Sequence, residues 1–134
     1  AGIIVNMVTN GQTRDPDGLA SQVKEARLSN VAVSIDGLEE THDAIRKAGA
    51  FSRACETIRV LAEAGIWVDV MITANRRNLG QVKAVYNLAD RLGARGSPAG
   101  SSWRMACSSG CRATAASWVT TRRWSGGWSS GCPC

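Results

Sequence analysis

Short apolar runs alternate with helical patterns along the first 94 residues. Three of the runs are rich in β-branched residues and nearly continuous, as strands buried on both faces are: 3–8, 31–35 and 66–72. Apolar residues recur every three or four positions in four other stretches, which predicts helices from about 17, over 39–46, over 51–64 and after 78.

The two longest helical patterns also predict which faces are buried. For the helix over 51–64, the predicted face is Phe51, Cys55, Ile58 and Ala62, with Leu61 beside it. For the last helix, the predicted stripe is Leu79, Val82, Tyr86, Ala89 and Leu92. Asn78 followed by Gln81 three residues later resembles a capping box, so we expect Asn78 to cap this helix.

Three strand–helix units in series predict parallel strands joined by crossover helices. The fold class is therefore α/β, and the segment is part of either a doubly wound sheet or a (β/α) barrel. In both architectures the chemistry lies where the strands end, which here means 9–11, 34–37 and 73–78.

Composition divides the 134 residues into two unlike parts. Residues 1–94 hold 11 Lys/Arg and 11 acids, so the net charge of +5 comes entirely from five Arg in residues 95–134. The second part also contains four of the five Trp and four of the five Cys, among many Ser and Gly. We therefore expect one folded unit over 1–94 and an unstructured tail over 95–134.

Several interpretations of the tail stay open. One interpretation is a flexible linker. A second is a zinc site built from Cys107, Cys111, Cys132 and Cys134. A third is a nucleic-acid-binding segment that acts through Arg and Trp. We favour a fourth hypothesis, a shift of reading frame, because Arg, Ser, Gly, Trp, Cys, Ala and Pro are what a GC-rich gene yields out of frame. On that hypothesis neither zinc nor nucleic acid is a partner.

The cellular location is predicted from what the sequence lacks. No apolar run approaches the roughly 18 residues that a membrane span needs, and no signal-peptide pattern is visible. We expect a cytoplasmic protein without a membrane partner. The sequence does not begin with Met, and we expect its true start to lie upstream.

A series of motifs follows the predicted elements in order: Val-Thr-Asn-Gly at 8–11, Val-Ala-Val-Ser-Ile-Asp-Gly at 31–37, Thr-His-Asp-x-Ile-Arg at 41–46, Phe51, Ala-Gly-Ile-x-Val at 64–68, and Asn78. Together these motifs resemble the middle of a radical SAM (S-adenosylmethionine) enzyme, closest to the branch with a C-terminal SPASM-like domain. The resemblance covers residues 2 to about 94. It implies that this piece supplies the third to fifth units of a partial (β/α)6 TIM-type barrel.

The resemblance also implies an activity for the intact parent, a radical SAM oxidoreductase or maturase. A [4Fe-4S] cluster held by three Cys reductively cleaves S-adenosylmethionine, and the product radical abstracts a substrate hydrogen. The cluster-binding cysteines are expected upstream of Ala1. Cys107 and Cys111 have the first spacing of that motif, but position 114 is Thr, so we expect no cluster, no metal ligand and no activity in this chain.

The candidate cofactor residues follow from the same resemblance. Ser34 and Asp36 approach the ribose and amino-acid part of S-adenosylmethionine; the alternative is a turn with an Asx cap at Asp36. Arg46 pairs with the cofactor carboxylate through its guanidinium fork, or is a solvated surface residue. Thr9 and Asn10 contact the cofactor or only form a turn.

Three further residues have open or structural roles. Asn78 is a helix cap first and a cofactor contact second. His42, the only His, is expected to orient the backbone or to pack on the next helix, and Cys55 is expected in the core.

Two other function classes compete with the enzyme fragment. One is a non-catalytic α/β nucleotide-binding module, against which the absence of a Gly-x-Gly-x-x-Gly loop counts. The other is a nucleic-acid- or zinc-binding protein acting through the basic tail. The substrate is not predicted beyond a peptide as one candidate. The missing neighbouring strands predict aggregation or self-association.

Overall fold

The computed structural model describes residues 5–94 and, for the backbone alone, 103–107. Its elements are β1 (Asn6–Thr9), α1 (Pro16–Glu25), β2 (Asn30–Ser34), α2 (Glu39–Ile45), α3 (Ala50–Glu63), β3 (Val68–Ala74), a 3₁₀ turn (Leu79–Gln81), α4 (Val82–Arg91) and β4 (Trp103–Cys107). The three predicted strands and the four predicted helices are therefore present, with boundaries shifted by one to three residues.

The strands form one parallel sheet in the order β1-β2-β3-β4. Met7 pairs with Val31, and Val31 pairs with Val68, so the first three strands are in register across the sheet. A sheet whose spatial order follows the chain order winds in one direction, as a (β/α) barrel does. A doubly wound sheet reverses that order at a switch point. The α/β prediction is confirmed, and the strand order favours the barrel.

The core lies between one face of the sheet and the helices. Val31, Val33 and Ile35 alternate toward this face, and Val68, Val70 and Ile72 do the same on the next strand. Ile58 and Leu61 of α3 and Val85 of α4 pack against them, all fully buried. The strand sequences are not continuous apolar runs because the opposite face of the sheet carries the polar residues Asn30, Ser34 and Asp69.

The predicted faces of α3 and α4 are rotated from the observed ones. In α3 the most buried residues are Ala50, Ala54, Thr57, Ile58 and Leu61, whereas Phe51, Cys55 and Ala62 are only partly buried. In α4, Val85 is buried and Tyr86 is 38% exposed. Leu79 is 54% exposed because it lies in the 3₁₀ turn before α4, whose three residues per turn take it off the α-helical stripe. The other predicted stripe residues of α4, Val82, Ala89 and Leu92, contact the core.

The fourth strand lies in the segment for which no secondary structure was predicted. Trp103–Cys107 pairs in parallel with β3, from Val70↔Trp103 to Ala74↔Cys107. This strand was not predicted because a strand pairs with the edge of a parallel sheet through backbone N–H and C=O groups, and the side-chain pattern of the sequence does not show such pairing. The zinc, linker and reading-frame predictions for the rest of the tail concern residues outside those described.

β1 is an edge strand with exposed apolar side chains. Within the described residues it pairs only with β2, and Val5 and Val8 are 46% and 62% exposed. An unpaired edge with apolar side chains favours pairing with another chain, so self-association stays a prediction. The longest described helix, α3, has 14 residues, and no described helix is long and apolar enough to cross a membrane.

The loop after β1 is hydrogen-bonded to α3. The Thr57 hydroxyl donates to the Gly11 carbonyl at 3.0 Å, and the side-chain Nε2 of Gln12 donates to the Ala50 carbonyl at 2.9 Å. Gly11 has a φ of +67°, and a Cβ there would lie 2.9 Å from the Ala54 Cα. Glycine is therefore required here by both conformation and space.

We predict that Gly11→Ala lowers the free energy of unfolding by about 1–3 kcal/mol, because it adds a positive-φ strain and a backbone clash. Urea denaturation followed by circular dichroism measures the effect. Gly80→Ala is the matched control, since no atom lies within 4 Å of a Cβ at that position. Equal stabilities of the two variants would contradict the prediction.

Candidate cofactor site at the carboxyl edge

An open depression of about 310 Å³ lies where β2 and β3 end. Its lining residues are Asp36, Ile45, Arg46, Thr73 and Asn75. Two of the six predicted cofactor residues, Asp36 and Arg46, therefore meet here, and they come from the end of β2 and the end of α2. Parallel strands bring their carboxyl ends to one edge, which is why residues distant in sequence share the depression.

Asp36 is buried, and its carboxylate is fully engaged. Oδ2 accepts from Arg46 Nε at 2.8 Å and from Arg46 Nη2 at 2.7 Å. Oδ1 accepts from the backbone N–H of Thr73 at 3.2 Å. A buried carboxylate is stable only with such partners, so Asp36 joins the end of β2 to α2 and β3.

Arg46 differs from Asp36 in being partly open to solvent. Its side chain is 37% exposed, against 5% for Asp36. Nε and Nη2 face Asp36, and an Arg guanidinium has five N–H donors in all, so donors remain for a ligand. Of the two, Arg46 is the residue available to a molecule in the depression.

The backbone of Asp36 is fixed as firmly as its side chain. Its N–H donates to Nδ1 of His42 at 2.9 Å, and its carbonyl accepts from Nδ2 of Asn78 at 2.8 Å. All three residues are buried. The prediction that His42 orients the backbone is confirmed by this contact, and His42 also meets the ring of Phe51 edge-on, at 6.1 Å between centroids.

Asn78 is not the predicted helix cap. Its side chain makes no capping bond to the following turn. Instead Oδ1 accepts from the N–H of Asn75 at 2.7 Å, and Nδ2 donates to the carbonyls of Asp36 and Thr73. Asn78 is fully buried, so its amide ties the two loops together and is not exposed to a cofactor.

Gln81 likewise does not complete a capping box. Its Oε1 accepts from the N–H of Leu38 at 2.8 Å, and its Nε2 donates to the Thr41 hydroxyl at 2.8 Å. The same amide leaves no room beside Gly37, where a Cβ would lie 2.8 Å from Oε1 and where φ is +149°. The capping prediction failed because Oδ1 of Asn78 accepts from the preceding N–H of Asn75, while the amide of Gln81 binds Leu38 and Thr41, which are distant along the chain.

Asp43 has a structural role that the sequence analysis missed. Its two carboxylate oxygens accept from the N–H groups of Gly49, at 2.6 Å, and Phe51, at 2.8 Å. These hydrogen bonds, with Phe51 the larger contributor, lower the pKa of Asp43. Asp43 thus satisfies the free N–H groups at the start of α3, as a capping residue does, but from α2 rather than from the residue before α3.

Thr9 and Asn10 form local turns and do not line the depression. The Thr9 hydroxyl accepts from the N–H of Gly11, and Asn10 Oδ1 accepts from the N–H of Gln12. Ser34 is half-buried and is also not a lining residue. Cys55 is partly buried against the core, as predicted, and burial raises its pKa to about 11, so its thiol is unreactive at neutral pH.

No metal site is visible in the part of the chain that the structure describes. Among residues 5–94, no three His, Cys, Asp or Glu side chains converge as metal ligands would. The described side chains therefore do not fit a [4Fe-4S] cluster. They do offer a polar, partly open depression at the carboxyl edge of a one-way parallel sheet, which is the arrangement of an α/β-barrel enzyme.

Comparison with known protein families identifies the superfamily to which the chain belongs. Residues 1–89 match the model of the radical SAM superfamily. The match covers well over half of the chain, so the protein belongs to this superfamily. The family predicted from the motifs is confirmed, and with it the use of S-adenosylmethionine and a [4Fe-4S] cluster by intact members.

Curated relatives agree with this assignment. The chain is 36% identical over 96 residues to an AdoMet-dependent heme synthase of Methanosarcina barkeri, covering 70% of this chain and 27% of the relative. It is 35% identical over 92 residues to a mycofactocin maturase of Mycobacterium ulcerans, covering 67% and 25%. A sporulation killing factor maturation protein of Bacillus subtilis is 40% identical over 72 residues, covering 52% and 18%.

These relatives confirm the resemblance to the SPASM-like branch. They also show that the chain spans about a quarter of the length of the proteins it matches.

We predict that Asn78→Ala lowers the free energy of unfolding by about 1–3 kcal/mol, because it removes the acceptor of the Asn75 N–H and the side-chain donor to the buried carbonyl of Asp36. Chemical denaturation measures the loss. Asn87→Ala, on the exposed side of α4, is the control and leaves stability nearly unchanged. The hydrogen-bond assignment of Asn78 is wrong if the two variants are equally stable.

We also predict that the fold loses stability in mild acid through His42. Burial lowers the pKa of His42 below its ordinary value of 6.5, with the Arg46 charge acting in the same direction and Asp36 and Asp43 against it. Below pH 6.5 the unfolded chain therefore binds more protons at this residue than the folded chain. The free energy of unfolding consequently falls as pH drops from about 7.5 to about 5.5.

Denaturation curves across this range test the effect. His42→Asn keeps an acceptor near the position of Nδ1 but cannot titrate, so its stability should change less with pH. Asp43 does not interfere, since its lowered pKa places its titration below 3.8. An unaltered pH dependence in His42→Asn would assign the effect to another group.

Proposed function

We propose that the depression binds the amino-acid end of S-adenosylmethionine in a radical SAM enzyme of which this chain forms part. The observation that carries the proposal is the Asp36–Arg46 pair: a partly exposed guanidinium held in place by a buried carboxylate, at the carboxyl edge of the sheet. Family membership supports the identity of the ligand.

Arg46 is the proposed contact for the cofactor carboxylate. A guanidinium reads a carboxylate through two parallel N–H donors, and it does so best when its orientation is fixed beforehand. The bonds from Nε and Nη2 to Asp36 supply that orientation. The neighbouring Ile45 is 37% exposed and gives the depression an apolar side.

Asp36 then acts through Arg46 rather than by touching the cofactor. Its carboxylate already accepts three hydrogen bonds, and its backbone is held by His42 and Asn78. We therefore propose Asp36 as a positioning residue. Direct cofactor contacts from Thr9, Asn10 and Ser34 stay predictions, as does the inactivity of this chain by itself.

The iron–sulfur cluster is proposed for the intact parent and not for the described residues. When both are bound, the cluster and S-adenosylmethionine supply reductive cleavage of a carbon–sulfur bond followed by hydrogen abstraction. What this chain contributes is orientation: it holds the cofactor carboxylate at Arg46.

Two ligands, one with and one without a carboxylate, test the role of Arg46. We predict that S-adenosylmethionine shifts the backbone amide resonances of 45–46 and 73–75 in the nitrogen-15-labelled chain. Arg46→Gln weakens this binding about tenfold, since it removes a charge-assisted carboxylate contact. Methylthioadenosine shares the nucleoside but has no carboxylate, so its binding is much less affected by the substitution.

Two controls sharpen the result. Arg91→Gln alters an exposed cation at the end of α4 and should leave both ligands unaffected. Arg46→Lys keeps the charge but loses the fork, and should bind S-adenosylmethionine more weakly than the unaltered chain. Equal weakening of both ligands by Arg46→Gln would falsify the carboxylate contact.

A further inference from the structure

One asparagine in the sequence is followed by glycine. It is Asn10, which lies directly after β1 and precedes Gly11. Because glycine has no Cβ, its backbone nitrogen is less shielded from the preceding side chain than that of any other residue. Each of the remaining asparagines is followed by a residue with a side chain: Asn6, Asn30, Asn75, Asn78 and Asn87.

The carboxamide of Asn10 is exposed and folded toward the peptide that follows it. Its Oδ1 accepts from the N–H of Gln12 at 3.0 Å, which is an Asx turn. The turn places the carboxamide beside the intervening peptide, whose nitrogen belongs to Gly11. The Gln12 N–H also polarises the side-chain carbonyl, as a donor to a developing oxyanion does, and solvent has access to the amino group.

Gly11, in contrast, is buried and held at both ends. Its N–H donates to the Thr9 hydroxyl at 3.2 Å, and its carbonyl accepts from the Thr57 hydroxyl of α3 at 3.0 Å. Nε2 of Gln12 adds a second link to α3 through the Ala50 carbonyl. These bonds restrain the peptide that must rotate and lose its proton if its nitrogen is to attack the carboxamide.

We infer that Asn10 is a site of spontaneous deamidation and that the hydrogen bonds between this loop and α3 control its rate. The Gly11 nitrogen attacks Cγ of Asn10 and gives up its proton to solvent. The new N–Cγ bond closes a succinimide ring, while the bond from Cγ to Nδ2 breaks and Nδ2 leaves as ammonia with a proton taken from water. This inference is independent of the proposed cofactor site.

Water then opens the ring in one of two ways. Cleavage of the bond between nitrogen and Cγ gives aspartate at position 10. Cleavage of the bond between nitrogen and the main-chain carbonyl carbon gives isoaspartate, whose main chain runs through the former side chain and is longer by a methylene group. That extra length lies directly before Gly11, so the isoaspartate product displaces the Gly11 carbonyl from Thr57.

Peptide mapping by mass spectrometry tests the site. The full chain is incubated in mildly alkaline buffer, and we expect loss of the amide at Asn10 with both aspartate and isoaspartate formed. Asn87 is the internal control, because it is exposed but lies within α4 before Leu88, and it should keep its amide. Electron-transfer fragmentation distinguishes the two isomers. An intact amide at Asn10 overturns the inference, as does aspartate without isoaspartate, since direct hydrolysis forms no isoaspartate.

A variant of α3 tests the control of the rate. Thr57→Val keeps the shape of the buried side chain but removes the donor to Gly11. The chemistry is slow relative to loop opening, so the rate follows the open population, and loss of one hydrogen bond should raise it about fivefold. Thr41→Val is the matched control, because it removes the hydroxyl that binds Gln81 and leaves the loop at 10–12 untouched.

Circular dichroism checks that each variant is folded. If Thr57→Val does not fold, Gln12→Met replaces it: the side chain is half-buried, and the substitution removes the bond to Ala50 and should also accelerate deamidation. The inference is overturned if the folded loop variant deamidates no faster than the unaltered chain, or if Thr41→Val accelerates the reaction equally.

Discussion

A buried carboxylate is tolerated only where donors surround it, and the carboxylate of Asp36 finds its donors on two separate segments of the chain. Arg46 approaches from the end of α2, Thr73 from β3, and Asn78 holds the carbonyl of the same residue. His42 accepts its N–H. The ends of two adjacent strands are thus tied through one residue, and Asp36 and Thr73, which are joined in this way, both line the depression.

This arrangement separates the residue that stabilises the site from the residue that is offered to a ligand. The buried carboxylate is largely shielded from solvent, and the guanidinium that neutralises it is partly open. The guanidinium of Arg46 is therefore oriented during folding, so less conformational entropy is lost when a ligand binds to it. The turn at 75–78 follows the same logic, with a buried amide at its base and exposed cations at its tip.

The sequence predicts the α/β class and the first three strands well because buried strands are apolar runs in the sequence, such as Val31–Ile35. The sequence also indicates that Asp36 and Arg46 belong to the candidate site, because both lie in motifs at the ends of predicted elements. The capping roles of Asn78 and Gln81 were predicted wrongly, since a short-range pattern suggests a cap while Asn78 binds Asp36 and Gln81 binds Leu38, about 40 residues away. The role of Asp43 was missed because it caps α3 from within α2, where a capping pattern does not place it. The fourth strand was missed because its pairing depends on backbone groups.

The contact between the loop at 10–12 and α3 also determines how the protein opens. β1 is the edge strand and pairs with β2 alone among the described strands, yet the segment after it is fastened to a helix near the centre of the fold. An edge strand anchored only by its sheet neighbour would fray independently. Here detachment of that end of β1 requires α3 to move as well, so the edge and the central helix belong to one cooperative unit of local unfolding.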